Sequence, residues 1–246
     1  MLWTNYADKL KRYFPFSKTE WKNYALLVLI FALMWSFTEW GEQSFDAATG
    51  FKNYLLAVIM VGVSVFIHHA AQRMYGLYFG YRVEHQIWWS GLLAGLLTVL
   101  LSNGRVLIFA ASSTRCHFMP AHRLGAFRYG PGLRQMGIVA FAGPIANAVI
   151  AFLAYLIAPV MLYEFVVFSL LHSLYNMFPI PPLDRLQVFV GTRAAMGGIF
   201  WYTFLTSFFI GFFLLYFLAS VGILWSLLFG IMIGFAGWFI FDTLVK

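Results

Sequence analysis

Stretches of apolar residues long enough for a bilayer at about 1.5 Å per residue fall near residues 25–37, 54–72, 136–158, 160–178, 199–219 and 222–245. No water-soluble domain of this length tolerates such a surface: 62% of the residues are hydrophobic and only 10% are charged. The chain therefore reads as an all-α polytopic membrane protein with about six transmembrane helices.

Residues 1–24 carry Lys9, Lys11, Arg12, Lys18 and Lys22 among Trp3, Tyr6, Tyr13, Phe14, Phe16 and Trp21, with no small-residue cleavage site before the first span. That composition predicts an amphipathic interfacial arm rather than a signal peptide, and residues 25–246 form one membrane domain. With a cytoplasmic N-terminus, six crossings put both termini and every remaining arginine inside and leave only Lys52 outside, as the positive-inside rule requires. The net charge of +7 follows from that topology. An acidic cytoplasmic partner such as a ribosome is a secondary expectation. Cys116, alone, excludes an intrachain disulfide and a cysteine-rich metal site.

Residues 73–135 are too long for a simple loop and only patchily apolar. Residues 88–101 are too short to cross, so an interfacial or re-entrant insertion between the second and third spans is expected. Residues 75–83 read as a short hairpin or extended edge. Residues 112–135, rich in arginine and containing Pro120 and Pro131, read as a basic loop in which His117 and His122 are solvated.

Polar residues inside spans are costly, so they are functional candidates. His68 and Gln72 stack at i and i+4 on one helix face, and His69 points about 100° away. Asn147 follows Gly143 and Pro144. His172, Asn176 and Asp184 lie near the end of the fourth span, where Pro179, Pro181 and Pro182 break the helix and call for a protein-lined or wet cavity.

FAGPIANA at 141–148 and NMFPIPPLD at 176–184 carry a resemblance. The chain resembles the site-2 protease family of intramembrane zinc metalloproteases, archaeal members in particular. The family pattern is HExxH on one span, then GPxxN, then NxxPxPxLDG, in the order found here. The resemblance covers about half the chain, and IFAASS at 108–113 adds a weaker likeness. It implies that His68 falls on the first zinc ligand, His69 on the catalytic glutamate, Gln72 on the second histidine and Asp184 on the third ligand. It also nominates Asn147, Asn176, Pro179 and Pro181 for a substrate-facing cleft, against the scaffold roles that Asn and Pro often play in spans.

The departures are chemical. A zinc hydrolase needs three good protein ligands, an open position for water and a base. Gln72 is a poor ligand, His69 replaces the carboxylate, and Arg185 stands where the family has glycine. An Asp184–Arg185 or Asp184–His68 contact is expected to replace the metal. His172 enters either an interhelical hydrogen bond or a rebuilt site with His68, His69 and Asp184. The preferred expectation is a pseudoprotease without cofactor that binds lipid and a transmembrane segment of another protein. The alternatives are an atypically zinc-loaded intramembrane protease and a lipid- or small-molecule-binding protein on the same fold.

Overall fold

A computed structural model describes residues 3–41, 45–119, 133–177 and 222–245, together with 204, 207, 208, 211 and 212. It is mostly helical: α1 (Trp3–Tyr13), α2 (Lys18–Trp35, extended by a 3-10 turn over Ser36–Thr38), α3 (Ala47–Phe79), α4 (Trp89–Leu101), α5 (Leu133–Ile157), α6 (Tyr163–Met177) and α7 (Ile223–Val245). Two strands, β1 (Tyr81–Ile87) and β2 (Ser112–Phe118), flank α4. Among the described residues three helices are long and apolar enough to cross a membrane, at Lys18–Thr38, Ala47–Phe79 and Gln135–Ile157. The expected fifth span lies mostly outside the described residues. The expected fourth and sixth appear as the apolar helices α6 and α7.

The sequence SKTE starts α2 as a reciprocal cap. Ser17 Oγ accepts from the Glu20 amide, and Glu20 Oε2 accepts from the Ser17 amide at 2.8 Å. The span thus begins at Lys18, seven residues ahead of its apolar run. α3, at 33 residues, is about 50 Å long against a hydrocarbon thickness of about 30 Å, so one end projects well past the membrane. α1 rests on that projecting end: the Tyr6 hydroxyl donates to the Met74 carbonyl at 3.1 Å, and the Tyr6 and Tyr78 rings meet edge to face. The N-terminal arm is thus a helix docked on α3, with Lys9 only 1% exposed.

Gly80 ends α3 in the left-handed region at φ 84° and turns the chain straight into β1. The predicted extended segment at 75–83 is accordingly helix through Phe79, and the strand starts later. β1 pairs antiparallel with β2, from Tyr81 opposite Phe118 to Ile87 opposite Ser112. The all-α expectation needs this correction, and so does the loop expected over 112–135, whose first seven residues are strand. The reason is the alternation in both segments. Tyr81, Val83 and His85 are buried against Ser112 and Thr114, while Arg82, Arg115 and His117 face out. On the outer face Glu84 meets Arg82 at 3.2 Å and His117 at 3.6 Å, so His117 is a strand residue in an exposed ion cluster. His122 lies outside the described residues.

α3 is the central element, packed on α2, α5, α6 and β1. The main core joins Phe31, Val61, Val65, Phe109 and Phe168, with the Phe31, Phe109 and Phe168 rings in edge contact. Leu55, Ile59 and Val63 on α3 and Val149, Phe152 and Leu156 on α5 are exposed. Apolar bands of this kind belong in lipid.

Candidate functional site

Two adjacent stripes on α3 are polar and buried: His68 with Gln72, and His69 with Arg73, at 0%, 0%, 3% and 2% exposure. Each pair is spaced i, i+4, so the stripes face different neighbours, as the 100° step predicts.

The first stripe meets the GPxxN element. Pro144 lies inside α5 and has no amide proton, so the carbonyl four residues earlier, Ala140, loses its helix donor. Gln72 supplies it: Nε2 donates to Ala140 O at 3.0 Å. The other end of the same amide is also engaged, since Thr114 Oγ1 donates to Gln72 Oε1 at 2.9 Å. Pro144 O accepts from Ser173 Oγ at 3.1 Å, which ties α6 to the same kink. Gly143 makes room for His68. A Cβ there would stand 2.5 Å from His68 Nε2, so only glycine lets the imidazole lie against α5. His68 then faces His172 on α6, with ring centres 4.9 Å apart. Asn176 donates from Nδ2 to the His172 carbonyl at 3.0 Å.

The second stripe meets the β1–β2 ribbon. His69 Nε2 and Ser112 Oγ are 2.9 Å apart, and the His69 ring stacks on His85 at 3.8 Å and 12°. Arg73 donates to Val83 O at 2.8 Å and to Phe14 O and Pro15 O at 2.9 and 3.0 Å, and pairs with Glu20. Its guanidinium also lies 4.1 Å over the Phe16 ring. Glu20 therefore closes its own helix cap and neutralises a buried cation. A small cavity beside this stripe is lined by Phe16, Tyr24, Glu20, His69, His85 and Ser112.

Several buried polar atoms have no partner among the described residues: both ring nitrogens of His68 and of His85, both amide atoms of Asn147, and Asn176 Oδ1. Buried groups left in this state are uncommon in folded proteins, and each calls for an explanation. His85 lies outside the spans, and burial pushes its ring well below the usual histidine value of 6.5, with the nearby Arg73 charge adding to the effect. The folded chain therefore holds this ring neutral. Its contribution to stability is complete above about pH 6.5 and falls as pH drops toward the lowered folded value. Replacing His85 by Phe, which preserves stacking on His69, is expected to reduce the pH slope of unfolding below pH 6.5 by up to about 1.4 kcal/mol per pH unit. Unfolding in bicelles at stepped pH measures it.

The structure thus brings His68, Gln72, Asn147, His172 and Asn176 to the α3–α5–α6 interface and sets His69 apart against the ribbon. Asp184, Pro179, Pro181 and Arg185, with the contacts expected of them, lie outside the described residues. Sequence reasoning missed Glu20, Arg73, His85, Ser112 and Thr114. The Ser-x-x-Glu pattern at 17–20 signals the first, and strand alternation signals the last three. Zinc in the arrangement that the resemblance implies does not fit the described residues: both ends of Gln72 are hydrogen-bonded, His69 is held by Ser112, and of these three positions only His68 keeps both ring nitrogens unpartnered. Among the described residues no three of His, Cys, Asp and Glu converge on a point where a metal ion would sit.

Apolar spanning helices around a buried seam of this composition fit a protease-like membrane protein. The chain is 24% identical over 184 residues to the Putative zinc metalloprotease of Methanocaldococcus jannaschii, a match that covers 71% of this chain and 85% of that one. No family model matches the chain, and no solved structure matches it.

Proposed function

We propose that the chain is a divergent, noncatalytic relative of the site-2 proteases that holds a transmembrane segment of another protein. In this reading it crosses the membrane six times, keeps both termini in the cytoplasm and carries the β1–α4–β2 unit as a re-entrant insertion. The observation that carries the proposal is the hydrogen-bonding of Gln72 and His69, the two positions where the resemblance implies a metal ligand and a base. Ala140 and Thr114 occupy both polar ends of Gln72, and Ser112 meets His69 at Nε2. A position already saturated by its own protein is poorly placed to bind an ion or activate water. Glu20, the buried carboxylate on the ribbon side, is committed to Arg73. Among the described residues, Asn147 is buried with its whole amide unpartnered, and Asn176 Oδ1 is likewise unpartnered. These are the groups that meet the exposed backbone of an unwound helix, with Pro179 and Pro181 assigned to the same cleft. Binding of a lipid or small molecule in the cleft lacks a comparable observation in its favour.

The test is a tagged single-pass substrate co-reconstituted in liposomes with the purified protein and excess zinc. Only intact substrate is expected, with no fragment above the level seen for His68→Ala. Fragments that disappear in His68→Ala contradict the proposal.

A further inference from the structure

His85 on β1 is 5% exposed, and neither of its ring nitrogens has a hydrogen-bond partner among the described residues. Two rings pack against it, His69 at 3.8 Å and Phe16 at 6.3 Å between centres, both nearly parallel to it. Stacked rings cover the faces of an imidazole and do nothing for nitrogens that bond in its plane. The His69 main chain lies close by, but a carbonyl only accepts and so could serve one nitrogen at most. The neutral ring keeps a lone pair on the other nitrogen, and that lone pair calls for a donor. Left unmet, it carries the full cost of the water it has lost. His85 also lines a cavity of about 10 Å³ between the start of α2, α3 and the ribbon. A single water molecule needs about 10–15 Å³ and two to four polar partners. The cavity walls supply them. Asn23, half-buried on α2, brings an amide that can donate and accept. Ser112 Oγ, 2.9 Å from His69 Nε2, keeps a bonding position whichever of the two donates, since a hydroxyl has one proton and two lone pairs.

We propose that this cavity is a hydration site holding one buried water molecule, which donates to the His85 lone pair and joins the ring to Asn23 on α2 and Ser112 on β2. The cavity is too small for a larger polar ligand, and its surroundings disfavour ions of either sign. The Arg73 guanidinium, bonded to Val83 O two residues before His85, repels a cation, and the Glu20 carboxylate on the cavity wall repels an anion. The water has a structural consequence. The start of α2 holds β1 directly where the His85 amide approaches Glu20 Oε1 at 3.4 Å, and the water adds a second link from the His85 side chain. The ribbon is therefore fastened to α2 through a bridge that no pair of side chains makes alone. This inference does not rest on the reading that a transmembrane segment is held: either can fail alone.

The experiment is water-edited magic-angle-spinning NMR of the full chain in lipid bilayers, with 15N-labelled histidine rings. The His85 ring is identified by the signal lost in His85→Phe or, where that variant fails to fold, by sequential backbone correlations in the parent chain. It is expected to receive magnetisation from water and to keep receiving it when a soluble gadolinium chelate relaxes bulk water. His117, exposed on the outer face of the ribbon, is the internal control, and its transfer is expected to vanish with the chelate. Asn23→Leu, which fills the cavity and withdraws an amide, is expected to abolish the transfer to His85 and to leave that to His117 unchanged. No transfer from water to the His85 ring overturns the proposal, because the ring is then dry. Transfer quenched by the chelate as fully as that of His117 overturns it in favour of a cleft open to bulk solvent. Transfer that Asn23→Leu leaves intact places the water elsewhere and overturns it as well.

Discussion

Replacing Arg73 by alanine is expected to cost about 3–5 kcal/mol, the usual result of stripping one partner from a buried ion pair. That is roughly two to three and a half powers of ten in the folding equilibrium. The loss is large because one guanidinium serves four elements. It neutralises Glu20 at the start of α2, satisfies the Phe14 and Pro15 carbonyls after α1, binds Val83 O on β1, and belongs to α3. Removing it leaves an uncompensated carboxylate where water does not reach and frees three carbonyls at once. The double variant Glu20→Gln with Arg73→Met is expected to be the more stable of the two, because no charge is then left buried alone. Unfolding in bicelles, followed by far-UV circular dichroism, measures both. An Arg73→Ala loss below about 1 kcal/mol, the range of exposed pairs, would show that the pair is solvated and that this end of α3 is not sealed by α1 and α2.

Substituting valine at Gly143 is expected to cost about 1–3 kcal/mol by overpacking, although replacing a helix-interior glycine by valine ordinarily gains about 0.3 kcal/mol. Sterics decide the sign. The new Cβ would stand 2.5–2.7 Å from three atoms of the His68 ring, a ring that is fully buried and already packed against His172 with centres 4.9 Å apart. Coupling provides the diagnostic. In a chain already carrying His68→Ala the same valine enters vacated space, so the pair is expected to be less destabilised than the sum of its parts by at least about 1 kcal/mol. Additive costs would mean that His68 does not lie against Gly143.

Much of this site is legible in the sequence, for physical reasons that differ from residue to residue. The separation of His68 and Gln72 from His69 follows from helix periodicity alone, which is why the polar seam divides as expected. The proximity of 141–148 to α3 came from the resemblance, and Pro144 explains it: a proline in a span frees a carbonyl that some side chain must satisfy. The ribbon was harder to see. Alternation in YRVEHQI and SSTRCHF is short and broken by charged residues on the outer face, so extended structure is expected only over 75–83 and the second segment falls within the expected loop. Gly80, the one position that forces the turn, looks like any other glycine in an apolar run. Arg73 counts in the sequence only as one of the inside arginines because its partner, Glu20, is 53 positions away; nothing local marks a residue whose role is long-range. The position of α1 has the same origin, since an amphipathic pattern does not say whether a lipid surface or a neighbouring helix covers it.

In the proposed function this chain holds a membrane-embedded segment and leaves it whole. The most direct test places a photo-crosslinking amino acid at Asn147, irradiates intact membranes containing tagged single-pass segments, and reads the length of the captured segment by mass spectrometry. A crosslink to an uncut segment is expected, with a control crosslinker at exposed Val149 capturing much less. Captured segments ending within the membrane, produced in the parent chain and absent in His68→Ala, would contradict it.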